Sequence, residues 1–242
     1  MKLDAFILAQ TSYSRRDVLD LITSGRVVLN GNPAKSMVKD IKIGIDIVKI
    51  DGMKLGEDVR YFYYKFNKPT NVLSTLDDPQ GRKTLRDFMG GLPASMKPVG
   101  RLDRDTSGLM IFTNDGHFSN ELMHPSRHTS KLYRVTLDKR LTKADFSRIL
   151  SGVMLEDGPA KGDSLVPISD FSWDLEIHEG RNRLIRRLFE VLGYEVTKLK
   201  RLAIGDVQLG TLAVGKFSKL TQRELRTLKG PVKPSKKMKT QK

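Results

Sequence analysis

The chain of 242 residues contains no cysteine, which excludes disulfides, thiolate catalysis and cysteine-ligated zinc and fits a reducing compartment. Also missing is any apolar run approaching the roughly 18 residues that cross a bilayer. The opening MKLDAFILAQ carries an acid at Asp4 and only a short apolar stretch, so neither secretion nor membrane insertion is expected, and the cytoplasm is the expected location. Histidine is scarce: His117, His124, His128 and His178 are the full set, and Pro125 breaks the helix that would bring His124 and His128 to one face. There is no G-x-S-x-G elbow and no G-x-G-x-x-G, and GRKT at 81–84 lacks the full phosphate-loop spacing. No metal and no cofactor is therefore expected.

Acidic residues are outnumbered, with 28 Asp and Glu against 43 Lys and Arg, a net charge of +15. An excess of this size suits a polyanionic partner, because lysine and arginine displace condensed counterions when they neutralise phosphates. Nucleic acid fits better than an anionic membrane. The excess is uneven: residues 1–58 hold 9 basic against 8 acidic groups, residues 59–229 hold 29 against 20, and residues 230–242 hold 5 against none.

Two short helices open the chain, one over Leu3 to Ala9 and one capped by Ser14 in which Val18, Leu19 and Ile22 repeat at helical spacing and Gly25 stands past the end. The pattern then turns to alternation, RVVLNG and IDIVKIDG each ending on a turn dipeptide, which makes an ααβ module. Residues 51–60 are rich in Gly, Asp and Glu and are expected to link to a second domain that begins with the β-prone RYFYYKFNKP. From there to 229, strands (LMIFTND, KLYRVTL, WDLEIHEG) mix with helical stretches (ADFSRILSGV, RLIRRLFEVLG), an α+β pattern with mainly antiparallel connections. The last stretch, 230–242, is expected to be a disordered basic tail. The expected domains are thus 1–58, 59–229 and the tail 230–242.

Two clusters carry charged residues in an apolar frame. The first is PVGRLDRDTSGLM at 98–110, read as a Thr-Ser-Gly turn leading into the strand LMIF. Its DRDTSG partly fits a calcium loop, but the twelfth position is Asn114 and the ninth Ile111, which excludes that site. What remains is Asp103 between Arg101 and Arg104. Aspartate often bonds its own backbone in turns, and spacing alone leaves a turn-former and a chemical group both open. The second cluster is EGRNRLIRRLFEVLG at 179–193, where Leu184, Ile185, Leu188, Phe189 and Leu192 form one stripe and Arg186 and Arg187 flank it. One arginine can turn inward, and there it needs a carboxylate, since an unpaired buried guanidinium is costly. Asp103 is the expected partner.

NKP at 67–69, GRLDRDTSGL at 100–109, KLYRV at 131–135 and EGRNRLIRRLFEVLG at 179–193 resemble, in order, motifs of RNA pseudouridine synthases. With the segment LKRLAIGDVQLGTLAVGKFSKLT the likeness is to the RsuA/RluB branch, bacterial enzymes that isomerise uridine in ribosomal RNA, and it runs to about residue 229. The opening SRRDVLDLITSGRVVLNG, with DIVKIDG after it, resembles the small S-four-type RNA-binding module; the strand directly after the second helix argues against a DNA-binding helix-turn-helix. These resemblances imply a mixed, mainly antiparallel catalytic domain, Asp103 as catalytic aspartate, Tyr133 as the ring that stacks on the target base, Arg186 as the basic partner of the aspartate and Ile185 as packing against the base. They imply RNA contacts for Arg15, Arg16, Arg26, Arg101 and Arg104, and for Arg101 a role in displacing the target nucleotide from its stack. The implied partner is ribosomal RNA or a ribosome-assembly intermediate, bound by a monomer, with a large-subunit site favoured over a small-subunit one; a noncatalytic RNA-binding protein is the alternative. In the family that this chain resembles, glutamine is common where this chain has Leu184. Asp105 is also acidic, and Asp103 is preferred only as the aspartate of G-R-L-D.

Overall fold

A computed structural model describes residues 1–230, so the basic tail expected over 230–242 lies, but for Gly230, outside the described residues. The chain runs α1 (Leu3–Gln10), α2 (Arg15–Thr23), β1 (Val27–Leu29), β2 (Asn32–Pro33), β3 (Val48–Ile50), β4 (Met53–Lys54), β5 (Tyr63–Lys68), β6 (Lys97–Val99) and β7 (Thr106–Thr113). It continues with α3 (Gly116–Met123), β8 (Lys131–Leu137), α4 (Lys143–Ser151), β9 (Val153–Leu155), β10 (Gly158–Ala160), β11 (Ser164–Pro167) and β12 (Ser172–Ile177). Last come α5 (Leu184–Val191), β13 (Val196–Ile204), β14 (Val207–Gln208), β15 (Phe217–Lys219) and α6 (Gln222–Lys229).

Local chemistry explains the first module. Ser14 and Asp17 form a reciprocal capping box at the start of α2, the Ser14 hydroxyl accepting from the Asp17 amide and the Asp17 carboxylate from the Ser14 amide. The buried stripe of α2 is Val18, Leu21 and Ile22; Leu19, grouped with it by spacing, is exposed, because residues three and four apart share a face and neighbours do not. Asn30-Gly31 and Asp51-Gly52 both hold positive φ at each residue, the tight-turn geometry that matches strand twist. The second of these turns joins β3 to β4, so residues 51–54 belong to a hairpin and not to the linker expected over 51–60. Leu3, Phe6, Ile7, Val18, Leu21, Val27, Val48 and Ile50 close a core under the four-stranded sheet β2-β1-β3-β4.

The rest is built on one large sheet, ordered β11-β12-β8-β13-β7-β5-β15, with β6 on β7 and β14 on β13. Its pairings are antiparallel except β13 with β7, which are parallel. This is the mixed, mainly antiparallel α+β architecture expected. Phe66, Met110, Phe112, Tyr133, Val135 and Leu199 share one face of the sheet with Leu188 and Phe189 of α5, while Leu109, Ile111 and Ile204 share the other with Phe118 and Leu228. Asn114 joins the module to the sheet: its side-chain amide donates to the Ala9 carbonyl at 2.6 Å and the Arg60 carbonyl at 2.8 Å, and its oxygen accepts from the Phe62 amide.

Thr106, Ser107 and Gly108 are not a turn but the first residues of β7, paired with Leu199, Lys200 and Arg201 of β13. The turn lies just before, closed by the Thr106 amide donating to the Asp103 carbonyl. Gly108 has φ near +106°, and a Cβ there would overlap the Arg201 carbonyl oxygen and sit 2.7 Å from its amide nitrogen. Only glycine lets the two parallel strands approach this closely.

Candidate active site

A cavity of about 610 Å³ opens where the 100–106 loop, the start of α5 and one face of β8 and β13 meet. Its lining includes Arg101, Asp103, Arg104, Thr106, Lys131, Tyr133, Leu184, Ile185 and Arg201. Residues as far apart in the chain as Leu73 and Ile204 reach this hollow because β13 returns to lie between β7 and β8, an arrangement set by the non-local parallel pairing.

The loop bearing Asp103 is held at several points. The Ser74 hydroxyl donates to the Leu102 carbonyl and accepts from the Leu102 amide. The Asn71 amide donates to the Arg104 carbonyl at 2.7 Å. Beneath the loop, the fully buried Lys68 ammonium donates to the carbonyls of Thr106 (2.8 Å), Pro69 (3.0 Å), Asp103 (3.1 Å) and Arg104 (3.3 Å). Burial pulls the Lys68 amine down to about 8, opposed by the charges of Asp105 and Asp103 and assisted by that of Arg201. The half-buried Lys131 is likewise pulled down to about 8, by burial first and then by Arg201.

Within this frame Asp103 enters hydrogen bonds through its main-chain carbonyl, and among the described residues no group pairs with its carboxylate. The other carboxylates on the wall are committed: Asp78 to Arg82 through two bonds of 2.7 and 3.0 Å, and Glu179 to Arg181 at 2.6 and 3.1 Å. Asp103 is thus the one lining carboxylate left free to meet a ligand among the described residues.

Arg186 does turn inward, as an arginine on the flank of the stripe could, but its carboxylate is Asp105 and not Asp103. Its guanidinium lies 3.0 Å from the Asp105 carboxylate and donates to the Val196 carbonyl at 2.7 Å. The reason is the turn: it aims Asp103 into the cavity and Asp105, two residues on, toward α5. Arg183 adds a longer contact to Asp105 at 3.6 Å. Arg187, on the opposite flank, pairs with Asp157 at 2.9 Å. Arg186 therefore braces the loop from behind instead of touching the Asp103 carboxylate.

Tyr133 and Ile185 both line the cavity and are nearly buried, 8% and 4% exposed, so a flat ring and an aliphatic wall face the space in front of Asp103. Leu184 packs in the main core beside them, which accounts for an apolar residue at that position. Arg101 and Arg104 are exposed at the mouth. Arg15, Arg16 and Arg26 sit apart from the cavity in the first module, where Arg15 pairs with the buried Asp4 at 2.8 Å and Arg26 grips Asp51 through two bonds of 2.6 and 2.7 Å. Sequence reasoning passed over Lys68, Lys131 and Arg201. Lys131 could have been found by strand alternation, being two residues from Tyr133, and Lys68 by its place in NKP; Arg201 carries no such signal, as one of three basic residues, with Lys198 and Lys200, in the same strand.

A family model described as RNA pseudouridylate synthase matches residues 63–191. Among curated proteins the chain is 39% identical to a ribosomal large subunit pseudouridine synthase B of Bacillus subtilis, covering 89% of this chain and 90% of that one. It is 35% identical to an RNA pseudouridine synthase of Aquifex aeolicus over 94% of this chain and 93% of that one. A crystal structure of a pseudouridylate synthase superposes with a TM-score of 0.68 at 31% identity, covering 94% of this chain and 99% of the other.

Proposed function

The chain belongs to the RNA pseudouridine synthases of the RsuA/RluB type, isomerases acting on uridine in RNA, and on that premise we propose that it converts a uridine of large-subunit ribosomal RNA to pseudouridine with Asp103 as its catalytic carboxylate. The observation that carries the role of Asp103 is its free carboxylate in a cavity whose other acids are neutralised. The large-subunit assignment is supported by the Bacillus relative and by a Pseudomonas aeruginosa relative of the same name, 38% identical over 88% of this chain and 57% of that one.

The isomerisation breaks the N1–C1′ bond of uridine, turns the detached uracil and joins C5 to C1′. The electron pair of the broken bond goes to the uracil, C5 gives up its proton as the new bond forms, and N1 ends protonated; no oxidant or phosphate energy is consumed. A carboxylate serves this chemistry by attacking the sugar or base, or by taking a sugar proton. Each route needs carboxylate oxygens that can reach the substrate, and among the described residues no other group occupies those of Asp103. Tyr133 supplies a stacking face and Ile185 an aliphatic wall, so the base is held while it is bonded to nothing. A uridine stacked in folded RNA cannot reach the cavity and must be flipped out at a cost of a few kcal/mol, offset in part by stacking on Tyr133. Arg101 and Arg104 at the mouth meet the phosphates flanking the flipped nucleotide, and Arg15, Arg16 and Arg26 hold structured RNA farther away. The enzyme works as a cytoplasmic monomer on ribosomal RNA or an assembly intermediate.

Tritium release from transcripts labelled at uracil C5 tests this reading directly. Wild-type protein releases label from large-subunit fragments; Asp103→Asn releases none while binding RNA as tightly. Release from small-subunit fragments alone overturns the large-subunit assignment, and wild-type release by Asp103→Asn overturns the role of Asp103.

A further inference from the structure

Behind Tyr133 the cavity holds polar groups that the chemistry above does not use. Arg201 is 4% exposed; its Nε donates to the Leu109 carbonyl at 2.7 Å, its Nη1 reaches the Tyr133 hydroxyl at 3.4 Å, and its Nη2 is buried with no partner among the described residues. Thr106, 2% exposed, has a hydroxyl in the same condition. Lys131 spends one donor on the Thr129 carbonyl at 3.0 Å and has no ion pair among the described residues. All three line the cavity, and strand alternation puts them on the face that carries Tyr133: Thr106 pairs with Leu199, two residues before Arg201, and Arg201 pairs with Tyr133, two residues after Lys131. Buried donors left unpaired are rare and costly, and two neighbouring cations without a carboxylate cost more. The arrangement makes sense if a ligand completes it.

We propose that Arg201, Lys131 and Thr106 form the subsite that grips the carbonyl edge of the target uracil and holds the base while it is detached. The inference rests on the isomerase reading of the cavity. Two features of this corner favour the base over a phosphate. It lies on the buried sheet face beside the aromatic ring proposed to stack on the base, whereas the cations exposed at the mouth, where the RNA backbone would pass, are Arg101 and Arg104. The charge also arrives at the right moment: when N1 takes the electron pair of the glycosidic bond, negative charge spreads over N1, O2 and O4, and fixed cationic donors stabilise that anion more than the neutral ring of bound uridine. The same donors select uracil. Its O4 accepts a bond where cytosine presents an amino group, which would face Arg201 and Lys131 donor to donor.

Single-turnover tritium release at saturating enzyme, paired with filter binding of the same transcript, tests the subsite. The variants are Lys131→Met, Thr106→Val, Thr106→Ser and Arg201→Lys, each first checked for a wild-type melting transition. Expected is a fall of about 10–100-fold in the saturating rate for Lys131→Met and Thr106→Val, RNA affinity within twofold of wild type, and recovery in Thr106→Ser. Because Arg201 also braces the Leu109 carbonyl, Arg201→Lys is read only if it melts normally, and the other variants decide the matter without it. A phosphate-binding role gives the reverse, weaker binding with a shallower salt dependence and an intact saturating rate, and overturns the proposal. Wild-type rates in both Lys131→Met and Thr106→Val also overturn it. Failure of the isomerase reading is distinct, because then the wild-type protein itself releases no tritium.

Discussion

Replacing Lys68 by methionine should separate stability from catalysis. The ammonium bonds four carbonyls with three protons, and two of those carbonyls keep other donors: Asp103 accepts from the Thr106 amide and Arg104 from the Asn71 amide. Methionine leaves the Pro69 and Thr106 carbonyls without the lysine, at about 1–3 kcal/mol each for buried polar groups. Against that, it removes a buried charge whose lowering from 10.5 to about 8 corresponds to about 3 kcal/mol. The terms largely cancel, and the similar size of methionine leaves no cavity. The net loss should stay near or below about 2 kcal/mol, a fall of under about 8 °C in melting temperature for a chain of this length. The loop, however, loses its central anchor, and a displacement of about 1 Å in a catalytic group costs about 100-fold in rate. Circular dichroism melting and single-turnover tritium release measure the two quantities. A variant with the wild-type rate would refute the idea that Lys68 positions Asp103, and a collapse of the fold would refute the cancellation.

Gly108→Ala should destabilise by more than about 4 kcal/mol, since its Cβ overlaps the Arg201 backbone in the middle of the sheet; a melting temperature within a few degrees of wild type would contradict the close approach of β7 and β13. The rate should fall as pH rises through about 8, when Lys68 and Lys131 lose their protons. Stability should behave oppositely with respect to these two groups: between about 8 and 10.5 the unfolded chain holds more protons than the folded one, so their contribution rises with pH, and rate and melting temperature falling together across that window would count against the assignment. Asp105→Asn should reduce the rate by about 10-fold without abolishing it, because it leaves Arg186 beside a neutral partner while the Asp103 side chain is untouched. Complete loss in Asp105→Asn, with Asp103→Asn active, would exchange their roles.

Local chemistry explains why parts of this molecule could be read from the chain. Ser14 with Asp17, Asn30-Gly31, Asp51-Gly52, Pro69 after β5 and the stripe of α5 each act within a few residues, and each lies where its pattern placed it. Asp103 was singled out by resemblance, because an aspartate before a strand is as good a turn-former as a chemical group. The partner of Arg186 was not legible: a helical wheel places the arginine on a flank but says nothing of which carboxylate the opposite turn presents. Thr-Ser-Gly read as a turn, and Arg201 was passed over, for the same reason. Both belong to the parallel pairing of β7 with β13, which joins residues 93 apart in the case of Gly108 and Arg201, and such contacts leave no periodic trace in either segment.

Asp103 is proposed to perform the isomerisation of a ribosomal uridine, and mapping carbodiimide-modified pseudouridines by primer extension on both ribosomal RNAs puts that role to the test in the cell. Three strains are compared: wild type, one lacking the gene, and that strain carrying Asp103→Asn. One stop in large-subunit RNA should be present in wild type and absent from both others. Retention of that stop by Asp103→Asn, or identical maps in all three strains, would contradict it.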